Sequence, residues 1–190
     1  MNKRKFRLYL AHSFETRHEI RKIESEIENE FNIELYNPFY DCDDRNDVKQ
    51  LDEGKKLDRN LASCEELVDR DLNAVDDSDG IVAIFLQDAT IGTCLEIGYA
   101  RQTGKLIFFI SDKYYNHAWI RVYCDYRFKN IDEFKIFLKY YKFNPIIFKL
   151  KRKLKVIQSA FMILKIGITK LLSKIPRRKK KTKINIEMVK

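Results

Sequence analysis

Residues 6–141 predict a doubly wound α/β domain on a parallel sheet of about five strands, and two features lead there. Short apolar runs alternate with stretches of helical periodicity along the whole segment. One run, 80–86, is apolar almost throughout, the pattern of a strand covered on both faces of a parallel sheet.

The first strand spans 6–11 and ends in a His12-Ser13-Phe14 turn. A helix of mixed charge follows over 15–31, where Ile20, Ile23, Ile27 and Phe31 recur at three and four residues and form one buried stripe. Residues 33–36 make a second strand, stopped at Asn37-Pro38 because the residue before a proline is pushed out of helical geometry. The polar, Asp-rich stretch 39–59 shows no clear periodicity and is long for a connection, as lids and binding loops are. A helix over 61–75 carries Leu61, Leu67, Val68, Leu72 and Val75 on its apolar side, with Asp76 to Asp79 as the turn beyond. After the strand at 80–86 come a polar loop, a helix from Gly92 to about Thr103, a Gly104 stop and a strand at 106–110. Residues 113–118 read as loop, 119–128 as containing a last strand, and 131–141 as the closing helix. Asn144-Pro145 ends the pattern, so the domain is placed at 1–144. In such sheets ligands bind at the carboxyl ends of the strands, which puts the Ser13 turn, the Asn37 loop and the Asp88 to Glu96 segment on one rim.

The net charge of +9 hides an asymmetry. Residues 142–190 hold 16 Lys or Arg against one acid, Glu187, whereas residues 1–141 hold 21 basic and 27 acidic residues. An acidic body therefore carries a basic tail. Within it, Ile147, Leu150, Leu154, Ile157, Phe161, Leu164, Ile168, Leu171 and Ile175 alternate steps of three and four, the signature of an amphipathic helix at 145–176. Lys155, Lys165, Lys170 and Lys174 interrupt it too often for a membrane span. Lys151, Lys153, Lys165 and Lys174 on the flanks, with no acids opposite, disfavour a parallel homodimeric coiled coil. The helix suits an anionic membrane surface, engaged through 145–183, or the acidic body of its own or a partner subunit. The basic segment 177–190 is expected to be disordered and suits phosphates without base readout, so no sequence-specific nucleic acid binding is expected. The amino terminus lacks a signal-peptide apolar region, which points to a cytoplasmic protein, peripheral to the inner face of a membrane where the tail engages one. Cys42, Cys64, Cys94 and Cys124 are widely spaced and read as free thiols, and His12, His18 and His117 show no ligand spacing, so no metal is expected.

The stretch from Gly92 to Ala100 places a carboxylate, Glu96, in what reads as the first turn of a helix. Thr93 and Glu96 have the spacing of a capping box, in which the two side chains satisfy each other's backbone amides. The competing use is chemical, with Glu96 pointing into a pocket on the rim.

Three segments bear on that choice. They are Arg7-Leu8-Tyr9-Leu10-Ala11 before a turn, Asp69-Arg70-Asp71-Leu72 ahead of Ser78-Asp79-Gly80-Ile81-Val82-Ala83, and Gly92-Thr93 through Glu96-Ile97-Gly98-Tyr99-Ala100 with Gly104-Lys105. In this order and spacing, over roughly residues 5–111, the chain resembles the nucleoside 2-deoxyribosyltransferase family. The resemblance implies a flavodoxin-like α/β fold, no cofactor, and transfer of 2-deoxyribose between free nucleobases through a covalent enzyme intermediate, with 2'-deoxynucleosides or deoxynucleotides as substrates. It implies Glu96 as nucleophile, Tyr9 as the tyrosine that holds its carboxylate, and Asp71 as the acid that handles the base's proton. A homo-oligomer is also implied, with a neighbouring subunit completing the site, for which Asn116 is the candidate.

The chemistry requires those residue types. Retaining cleavage of a glycosidic bond needs one carboxylate to attack the anomeric carbon and a second group to protonate the leaving base. Glu96 must be ionised, and a helix amino terminus favours the anion. Asp71 must start protonated, so a raised pKa is expected there. Further substrate contacts fall on Ser13, Phe14, Asn37, Tyr40, Asp88, Thr90, Gly92 and Thr93. In typical family members an Asp that binds the sugar hydroxyls stands two residues before the Gly-Thr pair; here that position is Thr90, with Asp88 two residues earlier. Two other functions fit: a 2'-deoxynucleoside 5'-phosphate N-hydrolase with Ser13, Arg17 or Ser111 on the phosphate, and a non-catalytic nucleotide-sensing or membrane-associated module. With Glu96, Asp71 and Tyr9 together on one rim, the catalytic use of Glu96 is preferred to the cap.

The membrane expectation is tested by sedimentation with liposomes containing anionic lipid. The full chain should pellet and a version ending at Asn144 should not; equal recovery of both in the supernatant rules the membrane role out.

Overall fold

A computed structural model describes residues 4–42 and 61–140 together with Leu164, and for 61–63 the backbone alone. The tail helix expected at 145–176, the segment 177–190 and residues 43–60 of the long polar connection lie outside the described residues, apart from Leu164. The elements run β1 (Phe6–Ala11), α1 (Arg17–Glu30), β2 (Ile33–Tyr36), α2 (Leu61–Asp77), β3 (Gly80–Ile84), α3 (Ile91–Gln102), β4 (Leu106–Ile110), α4 (Ala118–Tyr123), β5 (Tyr126–Phe128) and α5 (Ile131–Tyr140). The sheet has five strands in the order β2-β1-β3-β4-β5, and every neighbouring pair is parallel. This is the flavodoxin-like arrangement. The strand order reverses between β1 and β3, the position at which such sheets open a crevice.

Side-chain alternation along the strands builds two apolar layers. Phe6, Leu8 and Leu10 of β1 join Val82, Ile84, Phe108 and Ile110 beneath α1 and α5, which contribute Ile20, Ile27, Phe134 and Leu138. Tyr9 and Ala11 face the other way, with Ile81, Ala83, Ile107 and Phe109, beneath Val75 of α2, Ile97 and Ala100 of α3 and Ile120 of α4. The parity of β1 thus assigns Tyr9 to the face that carries α2 and α3. Among the described residues no helix is long and apolar enough to cross a membrane.

Several boundaries differ from the sequence expectation, for local reasons. The strand expected at 80–86 ends at Ile84, although the Phe85 amide still donates to Ile110 O at 3.0 Å, and Leu86 is exposed. α2 continues to Asp77, so Asp76 and Asp77 belong to the helix rather than to the turn. Lys105, buried, donates from Nζ to Asp76 O and to Ser78 O, the latter at 2.7 Å. A cation on those last carbonyls offsets the negative end of the helix. Residues 119–128 divide into the short helix α4 and the strand β5.

α3 begins at Ile91, with Thr90 as its N-cap, and not at Gly92 with Thr93 as cap. Thr90 Oγ1 accepts from the Thr93 amide at 3.4 Å and lies 2.8 Å from the Thr93 hydroxyl. The expected Thr93–Glu96 capping box is therefore replaced by a Thr90–Thr93 cap, and Glu96 falls in the second turn. At the other end Gly104 takes φ 69°, with its amide on Arg101 O and the Lys105 amide on Ala100 O at 2.8 Å. These two bonds form a Schellman motif, and the left-handed backbone explains the glycine.

Gly80 is needed for a different reason. A Cβ there would lie 2.8 Å from Leu106 O and 3.1 Å from Leu8 Cδ2, so β3 can sit between β1 and β4 only without one. Gly80→Ala is expected to lower unfolding free energy by about 1–3 kcal/mol through overpacking, measured by urea denaturation. A loss below about 0.5 kcal/mol would show that the strands part without strain.

Candidate active site

Tyr9 is fully buried in β1. It donates to Glu96 Oε1 at 2.7 Å. Its ring stacks on Tyr36 of β2 at 6.0 Å, and the Arg7 guanidinium, paired with Glu34 at 3.1 Å, covers Tyr36 at 4.8 Å. Tyr9 is thus held from below while its hydroxyl is committed to Glu96.

Glu96 is half-buried on α3, whose inner side is fixed by buried Thr93, Ile97 and Ala100. Burial pushes its carboxyl up to about 7, the Tyr9 hydrogen bond opposes the rise, and the negative charge of Asp71 adds to it. Glu96 lies past the first turn, where the helix dipole that was expected to favour its anion has faded, and desolvation dominates. At about 1.4 kcal/mol per pKa unit, ionising it costs on the order of 3 kcal/mol. Cys94, exposed on the same helix, is pushed up by burial and by Glu96. Asp71 stands half-buried on α2, and Arg70 places Nε at 3.3 Å and Nη2 at 3.4 Å from its Oδ1. Three elements, β1, α2 and α3, thus bring Tyr9 into contact with Glu96, and Asp71 within electrostatic reach of it.

The other expected contacts separate into three groups. Ser13 and Phe14 are half-buried in the turn that follows β1. The Ser13 hydroxyl lies 3.1 Å from Thr16 Oγ1, and the Phe14 ring lies under the Arg17 guanidinium at 3.6 Å and against Phe39 at 5.7 Å. Thr90 and Thr93 are spent on the helix cap, and Gly92 is exposed in its first turn with open space beside it. Asn116 is exposed on the connection before α4.

Asp88 and Asn37 are drawn elsewhere. Asp88 pairs with Lys113 and accepts from the Tyr114 hydroxyl at 3.1 Å, and these contacts hold its carboxyl below the usual range. It borders a cavity of about 690 Å3 at the ends of β3, β4 and β5, with Ser111 and Lys129; none of Tyr9, Asp71 and Glu96 lines it. Asn37 is fully buried, donating from Nδ2 to Glu24 Oε2 at 2.6 Å and accepting at Oδ1 from the Phe39 amide at 3.1 Å. A base-contacting Asn37 is corrected accordingly: the side chain braces the loop. Tyr40 instead meets His18 at 2.7 Å on the surface beside α1.

Two polar features had not been singled out in the sequence. Glu24 is buried, and desolvation pushes it up to about 7 against the hydrogen bond from Asn37 and the charge of Arg21. Its position midway between Ile20 and Ile27 on the helical stripe was the available signal. Arg70, adjacent to Asp71, was the other. Among the described residues no His, Cys, Asp and Glu group is arranged to hold a metal ion.

No family model matches this chain, and neither does any curated protein. In fold it is similar to a 2-deoxyribosyltransferase from the psychrotolerant bacterium Bacillus psychrosaccharolyticus, with TM-score 0.51 and 14% identity over 72% of this chain and 93% of that one. A CMP N-glycosidase of Clostridium botulinum is also similar, with TM-score 0.44 and 20% identity over 71% of this chain and 99% of that one.

Because the Tyr9 hydrogen bond favours the Glu96 carboxylate, Tyr9→Phe should move the Glu96 titration upward from about 7. Carbon-13 NMR of labelled carboxyl groups reads this directly. The sign for stability follows: a carboxyl raised in the folded state stabilises below its unfolded pKa, near 4.5, and that contribution is lost as pH rises through about 7. A Glu96 resonance that titrates near 4.5 would contradict the burial argument.

Proposed function

We propose that the chain cleaves the N-glycosidic bond of 2'-deoxynucleosides through a deoxyribosyl-glutamate and passes the sugar to another base. The observation that carries this is the 2.7 Å hydrogen bond from Tyr9 to Glu96, within electrostatic reach of a second carboxyl at Asp71. A buried phenol donating to a half-buried carboxyl, with another acid within electrostatic reach, matches what double displacement at a sugar carbon requires.

In the first step an oxygen of ionised Glu96 bonds to the anomeric carbon as the carbon–nitrogen bond breaks, and protonated Asp71 gives its proton to the leaving base. In the second, a ring nitrogen of the incoming base attacks the same carbon, its proton passes to Asp71, and the Glu96 carboxylate leaves. Two inversions retain the configuration. Tyr9 holds Oε1 throughout, so the other oxygen is presented to the sugar, and its proton stabilises the carboxylate each time it departs. As written, the reaction needs no cofactor. Water in place of the second base would make the same site a hydrolase, with the Ser13 turn and Arg17 facing a 5'-phosphate.

Incubation with each deoxynucleoside plus a different free base, and separately with each deoxynucleoside monophosphate, followed by chromatography, distinguishes these outcomes. Base exchange identifies the transferase, and sugar phosphate with free base identifies the hydrolase. Glu96→Ala should lose about 10³-fold or more in kcat/KM, and Asp71→Asn about 10²–10⁴-fold, the range for a general acid. No product with any substrate, or full activity in Glu96→Ala, would reduce the chain to a nucleotide-sensing module.

A further inference from the structure

Two carboxyl groups in electrostatic contact do not both ionise cheaply, so at intermediate pH the pair shares one proton. Which oxygen carries it is decided by the partners each carboxyl has. Glu96 is contacted by a neutral phenol, Tyr9, and among the described residues no cation touches it. Asp71 has the Arg70 guanidinium on Oδ1 through both Nε and Nη2. Among the described residues Cys94 bears on Glu96 from α3, and Glu66, Asp69 and Asp77 of α2 line the groove beside Arg70, with Arg7 of β1 and Tyr36 of β2 across it.

Arg70 is itself half-buried. It borders a groove of about 500 Å3 between β1, β2 and α2, together with Tyr36 and Asn73, and three-quarters of its side chain is removed from solvent. Its planar guanidinium directs Nε and Nη2 to one oxygen of Asp71 and cannot surrender its charge.

We propose that Arg70 is a positioning residue that keeps Asp71 in its carboxylate form, so that in the ligand-free protein the shared proton resides on Glu96. This rests on the catalytic reading above only for its consequence. The working pair of that mechanism is the reverse one, Glu96 ionised and Asp71 protonated, and it is the minor form at rest. The conversion is balanced: the O–H bond of Glu96 breaks, an O–H bond forms on Asp71, and one negative charge moves from Asp71 to Glu96. The site's net charge is unchanged. Arg70 thereby sets how much of the protein is armed at a given pH, and a substrate that draws Arg70 away from Asp71 arms the rest.

The sign of the mutant effect is distinctive. An opposite charge at this range favours the carboxylate by about one to three pKa units, fewer for a partly exposed pair. Arg70→Gln releases that hold, and each unit gained by Asp71 makes the armed form about tenfold more abundant. Loss of a cation beside the site is therefore expected to raise kcat/KM near neutral pH, by roughly threefold to tenfold.

The test is carboxyl titration of the ligand-free, full-length chain by carbon-13 NMR, with Asp71→Asn and Glu96→Gln used to assign the two resonances. In the unsubstituted protein Asp71 should account for the lower transition and Glu96 for the upper one. Arg70→Gln should move the Asp71 transition up by about a unit, and Arg70→Lys should move it less. An Asp71 resonance unmoved by Arg70→Gln, or one that is already the upper transition, overturns the proposal whatever the activity. The kcat/KM profile against pH supplies the second readout: a fall in rate with both limbs in place would assign Arg70 a structural role and overturn it too. Failure of the glycosidic reading is seen separately, as absence of cleavage by the unsubstituted chain.

Discussion

A carboxyl group laid against a parallel sheet loses much of its water, and at this rim the sheet returns one strong hydrogen bond, from Tyr9 to Glu96. The rest of the site is arranged by what makes that bond geometrically available. Tyr9 must point to the face bearing α2 and α3, which the alternation of β1 decides, since its neighbours Leu8 and Leu10 occupy the opposite layer. Tyr36 and Arg7 stack beneath it and fix the ring. A phenol is an incomplete substitute for water, so Glu96 remains up at about 7.

The rotational phase of α3 is the second constraint. A helix capped by Thr93 would spend Glu96 on its own amides; one that begins at Ile91 under a Thr90 cap frees that carboxyl for the interior. Thr90 stands where the resembling family has an Asp, and Asp and Thr are both good N-caps. In this chain the hydroxyl is taken up by Thr93, and the acid two residues earlier, Asp88, is tied to Lys113 and Tyr114 on the exposed side of the loop.

A polar chain at the ends of β1 and β2 explains why the neighbouring wall is ordered. Asn37 links Glu24 of α1 to the Phe39 amide, and its Oδ1 lies 3.2 Å from His12 Nε2. His12 and Phe14 in turn hold Phe39 edge-on. Buried polar groups of this kind are tolerated when each is hydrogen-bonded, and the arrangement fixes the loop that leads toward the long Asp-rich connection.

Apolar runs and helical periodicity determined the strands, the alternation of helix and strand and the buried stripe of α1. These are local properties of backbone geometry, repeating every two residues in a strand and every 3.6 in a helix. The register of α3 was not legible, because Thr90 and Thr93 are both competent caps and their choice depends on how the preceding loop leaves β3. The burial of Glu24 was signalled only by its place on the apolar stripe, and the buried Asn37 amide that donates to it was not legible, because the two meet across 13 residues. Tertiary structure decided how far each acid is desolvated and which distant side chain meets it: the Asn37 amide reaches Glu24, and at Glu96 burial outweighs the Tyr9 hydrogen bond that the resemblance implied. Desolvation and charge pairing act through space, and it is they that set where a proton resides.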